Sequence, residues 1–168
     1  MEFYDVLKTR RSIRGYKPDA VPEDALKRIA EAVRTAPTAC NRQPYRLLLV
    51  RNAEKRAALA SVYPKEWFAQ APVIAVMTAC ESEAWVRREG DSIVNVDAAI
   101  AMEHFILAAA AEGLGTCWIC AYVRSEADRV LGLASGWRSV AMSPLGYAAV
   151  PAGPFLRKEV KELVKVVD

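Results

Sequence analysis

Apolar positions recur along this chain at two periods, and the alternation of the two sketches a fold. Phe3, Val6 and Leu7 are spaced as on a short helix over residues 3–9. Pro22 opens a second, amphipathic helix with Leu26, Ile29, Ala30 and Val33 on one face. Its first turn carries Glu23 and Asp24, where the helix dipole favours acids, and Ala36-Pro37 ends it. Tyr45–Val50 and Pro72–Met77 are short, mostly apolar runs of strand type, the second continuous enough for a central strand. Glu54–Val62 and the region of Trp67-Phe68 between them are predicted helical.

After a polar, weakly patterned excursion over 80–92 comes the strongest helix signal, Val94 to Glu112. It is rich in Ala and apolar nearly all round, so it belongs in a core or a subunit interface. Gly113 is placed to stop it in a left-handed cap. Leu114–Tyr122 is expected to be turn-like, and Ser125 to Leu131 a small helix. Ser139–Met142 begins a further strand that Pro144-Leu145-Gly146-Tyr147 should end, and Val164–Val167 in the tail leans towards strand. Helices alternating with strands predict an α/β or α+β class with one central sheet.

The 168 residues suffice for one domain, 1–168, with a real core. At 53% hydrophobic and 26% charged residues, disorder is excluded. The net charge of +3 is concentrated near the N-terminus rather than spread as a stripe, which argues against a nucleic-acid partner. The longest apolar run, 98–111, is interrupted by Glu103 and His104 and is too short and polar for a membrane span. The acidic N-terminus lacks the apolar region of an export signal. Cys40, Cys80, Cys117 and Cys120 then read as reduced thiols of a cytoplasmic protein. Cys117 and Cys120 have C-x-x-C spacing, but there is no second pair for zinc and no helix start for redox use.

Candidate chemistry is concentrated in Arg10-Arg11-Ser12-Ile13-Arg14-Gly15-Tyr16. Guanidinium forks donate paired hydrogen bonds and keep their charge, so three of them in five positions suit a phosphate. Taken alone, such a run is equally a solvated basic turn. Pro37-Thr38-Ala39-Cys40-Asn41-Arg42-Gln43-Pro44 is a second polar segment, bracketed by prolines. There is no dinucleotide fingerprint, phosphate-binding Walker loop or nucleophile elbow. The single histidine, His104, is expected to be a packed or interface residue; it leaves no metal cluster and argues against a Ser-His-Asp triad. An enzyme built this way would leave the chemistry to a cofactor.

The arginine segment resembles the one that opens proteins of the nitroreductase family. The loop Ala36–Tyr45, the helix from Asp97 leading into Gly113–Ile119, the run Pro144–Tyr147 and Arg157-Lys158 are similar to that family's later motifs, in the same order. The resemblance covers essentially the whole chain. It implies an α+β fold: three α/β/α layers, a central mostly antiparallel sheet and the long helix at a dimer interface.

The resemblance further implies bound FMN with NAD(P)H as hydride donor. Arg10, Arg11, Ser12 and Arg14 would hold the phosphate and the ribityl or pyrimidine end, with Arg157 a further phosphate contact. Pro37, Thr38 and Asn41 would approach the flavin from the other subunit of a homodimer. Trp118, Ile119, Cys120 and Ala121 would lie along the ring, Cys120 standing where many relatives carry glycine. The reaction implied is ping-pong two-electron reduction of a small acceptor such as a nitroaromatic or quinone. No side chain need act as acid or base, and no metal is involved. Dehydrogenase, dehalogenase or ene-type reductase chemistry on the same fold stays open, as does FMN binding without turnover.

Overall fold

A computed structural model describes residues 2–167. Its sheet is built from four strands, β1 (Tyr45–Val50), β2 (Val73–Cys80), β3 (Gly115–Thr116) and β4 (Trp137–Gly146), in the order β1-β2-β4-β3. Every ladder in it is antiparallel. The helices are α1 (Phe3–Thr9), α2 (Glu23–Arg34), α3 (Ala53–Val62), α4 (Glu66–Gln70), α5 (Val94–Ala111), α6 (Arg124–Leu131) and α7 (Val160–Leu163).

β2 explains the layering. All eight of its residues are buried, so both faces of the sheet are covered. Val73, Ala75, Met77 and Ala79 face α2 and α5, packing with Ile29, Met102 and Phe105. Ile74 and Val76 face the opposite layer of α3, α4 and α6, with Leu59, Phe68, Ala127 and Met142. The result is the expected α+β sandwich, three layers deep with the sheet in the middle.

α2 buries Ala25, Leu26, Ile29 and Val33, while Ala30 is exposed; the apolar stripe takes in Ala25 in place of Ala30. α5 is long and apolar enough, by length and composition, to cross a membrane, because it begins at Val94 rather than Ala98. It instead lies on the sheet with Ala98, Ala101, Met102, Phe105 and Ala109 buried. Gly113 takes φ +75°, and the Leu114 N–H donates back to the Ala109 carbonyl at 2.9 Å, the six-to-one bond of a left-handed helix stop.

Three local expectations are corrected. Segment 114–122 is partly strand: β3 pairs with β4, and Ile119 exchanges two backbone bonds with Met142 in the same register. Pro144 does not end β4, which continues to Gly146. Opposite it the β3 ladder lapses: the Cys117 N–H goes to the Ser143 hydroxyl at 3.0 Å, and that hydroxyl donates to the Pro144 carbonyl at 2.8 Å, bridging the two strands beside the proline. Val164–Val167 is not strand; the tail forms the short α7 and then irregular, exposed backbone. β4 also carries a bulge, since Met77 faces Ala141 and Thr78 faces Ser139, leaving Val140 as the extra residue.

Candidate functional site

The arginine segment is not a free loop. The Ile13 N–H donates to Thr116 O at 2.8 Å, and a parallel Ser12–Thr116 bridge docks the segment on β3. Further along, Tyr16 bridges Ala148, and its hydroxyl donates to Ile13 O at 2.7 Å. Ile13 and Tyr16 are buried with Ala71, while Arg14 between them is exposed. Burial pushes the Tyr16 phenol above its ordinary value, so it stays a neutral structural donor.

Docking on β3 is possible only because position 115 is glycine. A Cβ there would lie 2.8 Å from Ile13 Cγ1. Arg10 and Arg11 line a cavity of about 190 Å³ with Thr9, Gly113, Gly115 and Thr116. Arg157 comes from the tail to the same place, and the ring of Phe155 stacks under both Arg11 and Arg157, 4.1 and 5.0 Å from their guanidinium carbons. Partial burial, then the charges of Arg157 and Arg10, push Arg11 below its ordinary value without threatening its charge. None of the five ion pairs among the described residues uses Arg10, Arg11, Arg14 or Arg157. Converging like charges without a carboxylate among them fit a polyanionic group such as phosphate. Ser12 is half-buried beside them, and Arg14 is exposed on the far side of Ile13.

From Thr116 the chain leads away along β4. Ile119 commits both backbone groups to Met142 and buries its side chain, so its part is positional. Trp118 is half-buried, and Cys120 and Ala121 are exposed. The Trp118 indole N–H donates to Cys120 Sγ at 3.1 Å. That thiol also reaches towards Val140 O at 3.7 Å, which gives the side chain a place off the backbone. Cys120, Tyr122 and Ser139 line a second cavity, about 430 Å³, with Asn95 in the first turn of α5. The four thiols are free, and no metal-binding cluster occurs among the described residues.

Pro37, Thr38 and Asn41 sit elsewhere. Their loop is tied to the first turn of α5, where the Ala39 N–H donates to Asp97 Oδ1 at 3.1 Å. The arginines adjoin the other end, beside Ala110 and Gly113. Asp97 and Ala110 are thirteen positions apart on α5, about 20 Å at the usual helical rise. Asn95 and Asp97 are two positions apart, about 200° around the helix, so Cys120 and the 36–44 loop meet opposite faces of it. Within one chain, then, the arginines and residues 116–121 share an edge, and the second loop does not join them. His104 is a packing residue, its Nδ1 lying 3.0 Å from Ala32 O of α2.

Sequence reasoning missed Gly115, Phe155 and Asp97. Only Asp97 left a signal, as a carboxylate near the start of an otherwise apolar helix.

The nitroreductase family model matches residues 7–64 and 60–147. The chain belongs to the nitroreductase family. It is 31% identical to an NADH dehydrogenase of Thermus thermophilus over 186 aligned positions, covering 92% of this chain and 91% of that one. A nitroreductase family protein of Clostridium novyi NT superposes with a TM-score of 0.80 at 32% identity, over 88% of this chain and 86% of the other. An FMN reductase [NAD(P)H] of Bacillus subtilis is 24% identical, over 96% of this chain and 57% of its own length. The α+β fold and the oxidoreductase class of this family therefore apply to this chain.

Proposed function

We propose that the chain is an FMN-dependent NAD(P)H oxidoreductase of nitroreductase type, acting as a homodimer with FMN at the subunit boundary. One observation supports the reading: Arg10, Arg11 and Arg157 converge on a cavity edge, and none of them has a carboxylate partner among the described residues. FMN would supply two-electron chemistry, taking a hydride from NAD(P)H and passing it, after the donor leaves, to a small flat acceptor such as a nitroaromatic or quinone.

The chain's own residues bind and orient. Arg10, Arg11 and Arg157 hold the phosphate, with Ser12 at its side and Arg14 towards the ribityl or pyrimidine end. Trp118, Cys120 and Ala121 flank the ring, held in register by Ile119. Fixed positive charge and hydrogen-bond donors along this edge favour the electron-rich reduced cofactor, so no side chain need transfer a proton.

The dimer completes the site. Two α5 helices packed antiparallel about a two-fold axis would bring the start of one to the end of the other. Pro37, Thr38 and Asn41 of one subunit then approach the arginine edge of its partner, which a single chain cannot achieve. Val96 is 51% exposed, and Ile100 and Leu107 are half-buried, on a helix of this apolarity. We place the protein in the cytoplasm as one FMN-binding domain, with no nucleic-acid or membrane partner.

The test is an absorbance spectrum of the purified protein followed by anaerobic titration with NADH and NADPH. Visible flavin absorbance, bleached by one or both donors, is expected. A colourless protein that leaves FMN fluorescence unquenched overturns the reading.

A further inference from the structure

The loop between α2 and β1 holds an improbable backbone. Cys40, Asn41 and Gln43 have φ of 50°, 52° and 51°, the left-handed region that residues with a Cβ disfavour. Three such residues within four positions persist only where the surroundings over-determine them. Part of the restraint is internal: Thr38 Oγ1 accepts the Gln43 N–H at 3.0 Å, and the Gln43 amide donates to Asn41 O and Oδ1 at 3.1 and 3.0 Å. Two side-chain bonds tie the loop to the body. Arg42 Nη1 donates to Ala84 O at 2.8 Å from an exposed position. The other is the bond from the Ala39 N–H to Asp97 Oδ1, and Asp97 is 1% exposed.

Asp97 is costly for the fold. Its Oδ2 is buried and accepts no hydrogen bond from the described residues, in a helix whose neighbouring buried positions are Val94, Ala98 and Ala101. A buried carboxylate with one oxygen unsatisfied is less favourable than an apolar side chain of similar size. What the carboxylate gives in return is one bond, to Ala39. We propose that Asp97 is a positioning residue, whose bond to the Ala39 amide sets the left-handed loop that presents Thr38 and Asn41 to the flavin. The proposal rests on the FMN reading for its consequence, not for the latch itself.

Asp97→Leu removes the acceptor. Ala39→Pro removes the donor without touching α5, at the first position of a 3₁₀ turn preceded by extended Thr38, where proline is accommodated. Asp97→Asn keeps an acceptor oxygen. Two readouts apply: hydrogen exchange of the 38–43 amides in the protein without FMN, and FMN affinity by fluorescence quenching. Asp97→Leu and Ala39→Pro should each speed loop exchange and weaken FMN about tenfold or more, the size of one charge-assisted bond. β2 and β4 amides should stay protected, and Asp97→Asn should remain within about threefold of the parent. The double variant should be no worse than either single one. Unchanged loop exchange in Ala39→Pro and Asp97→Leu overturns the latch, as does an Asp97→Asn protein as impaired as Asp97→Leu. If the parent binds no FMN, the functional reading falls while loop exchange still decides the role of Asp97.

Discussion

The guanidinium carbon of Arg11 lies 4.1 Å from the ring centroid of Phe155, so a residue of the tail fixes an arginine of the N-terminal segment. Arg157 shares the same ring at 5.0 Å. The aromatic face offsets part of the repulsion between two cations, each of which also gives one Nη1 N–H to the backbone carbonyl before it, Arg10 O at 2.6 Å and Leu156 O at 2.7 Å. A partly exposed cation–π contact is worth about 0.5–1 kcal/mol. Phe155→Ala should therefore weaken FMN binding about two- to fivefold, and Phe155→Trp should restore it. Fluorescence titration of the three proteins reads this, and equal affinities would show that the ring does not organise the arginines.

Gly115 and Ile13 test how the arginine segment is mounted. A Cβ on residue 115 would sit 2.8 Å from Ile13 Cγ1 and 3.0 Å from its Cβ, with β3 fixed by β4 behind it. Gly115→Ala should destabilise by about 1–3 kcal/mol through overpacking and weaken FMN by displacing the segment. Adding Ile13→Ala should recover part of the loss, because it removes the offending γ-carbons. Thermal melts of the two single variants and the double variant expose this non-additivity. Strict additivity would mean the two side chains do not compete for the space.

Glu112 and Arg28 give a pH dependence of defined sign. Arg28 Nε and Nη2 donate to the two Glu112 carboxylate oxygens at 2.8 and 2.6 Å, clamping the end of α5 to α2. These bonds hold the Glu112 carboxyl below its ordinary value. Its folded pKa is thus lower than its unfolded one, so the contribution is present above the unfolded value and lost as pH falls through the folded one. Both residues are near the surface, so the effect is modest and screened by salt. Glu112→Gln should melt slightly below the parent at neutral pH and converge with it as the pH falls through the lowered folded-state value. Parallel melting curves over that range would rule out the clamp.

The fold was legible in this chain because its two periods are clean. β2 reads as central since nearly all its side chains are apolar or small, and α2 reads as amphipathic since its acids mark the start. Pro144 misled because a proline ends a strand only where a ladder needs its N–H, and here the regular ladder lapses into a bridge from the Cys117 N–H through the Ser143 hydroxyl to the Pro144 carbonyl. The β-rich composition of Val164–Val167 misled because propensity without a partner strand forms no ladder. In the site, Arg10, Arg11 and Arg157 were legible as charges, but Gly115 and Phe155 act through space across more than a hundred positions of chain. No local pattern carries that. Ile119 looked like a ligand contact, yet its backbone is committed to Met142, a fact that only the register reveals.

The proposed antiparallel pairing of α5 makes the last prediction. Val96, Ile100 and Leu107 lie on a helix that the sheet and α2 cover only in part. A charge placed at an exposed position of that helix leaves the monomer's core untouched and penalises burial against a second copy. Val96→Arg should therefore shift the protein from dimer to monomer in light scattering, with near-parental far-ultraviolet circular dichroism. Because the partner's Pro37, Thr38 and Asn41 are then lost from the site, FMN affinity should fall in step with dissociation and recover at higher protein concentration. Arg14→Ala should weaken FMN at every protein concentration instead, since it removes a contact made within the chain. A Val96→Arg monomer that binds FMN as well as the parent would show that each chain holds a complete site, and the two-fold arrangement would be wrong.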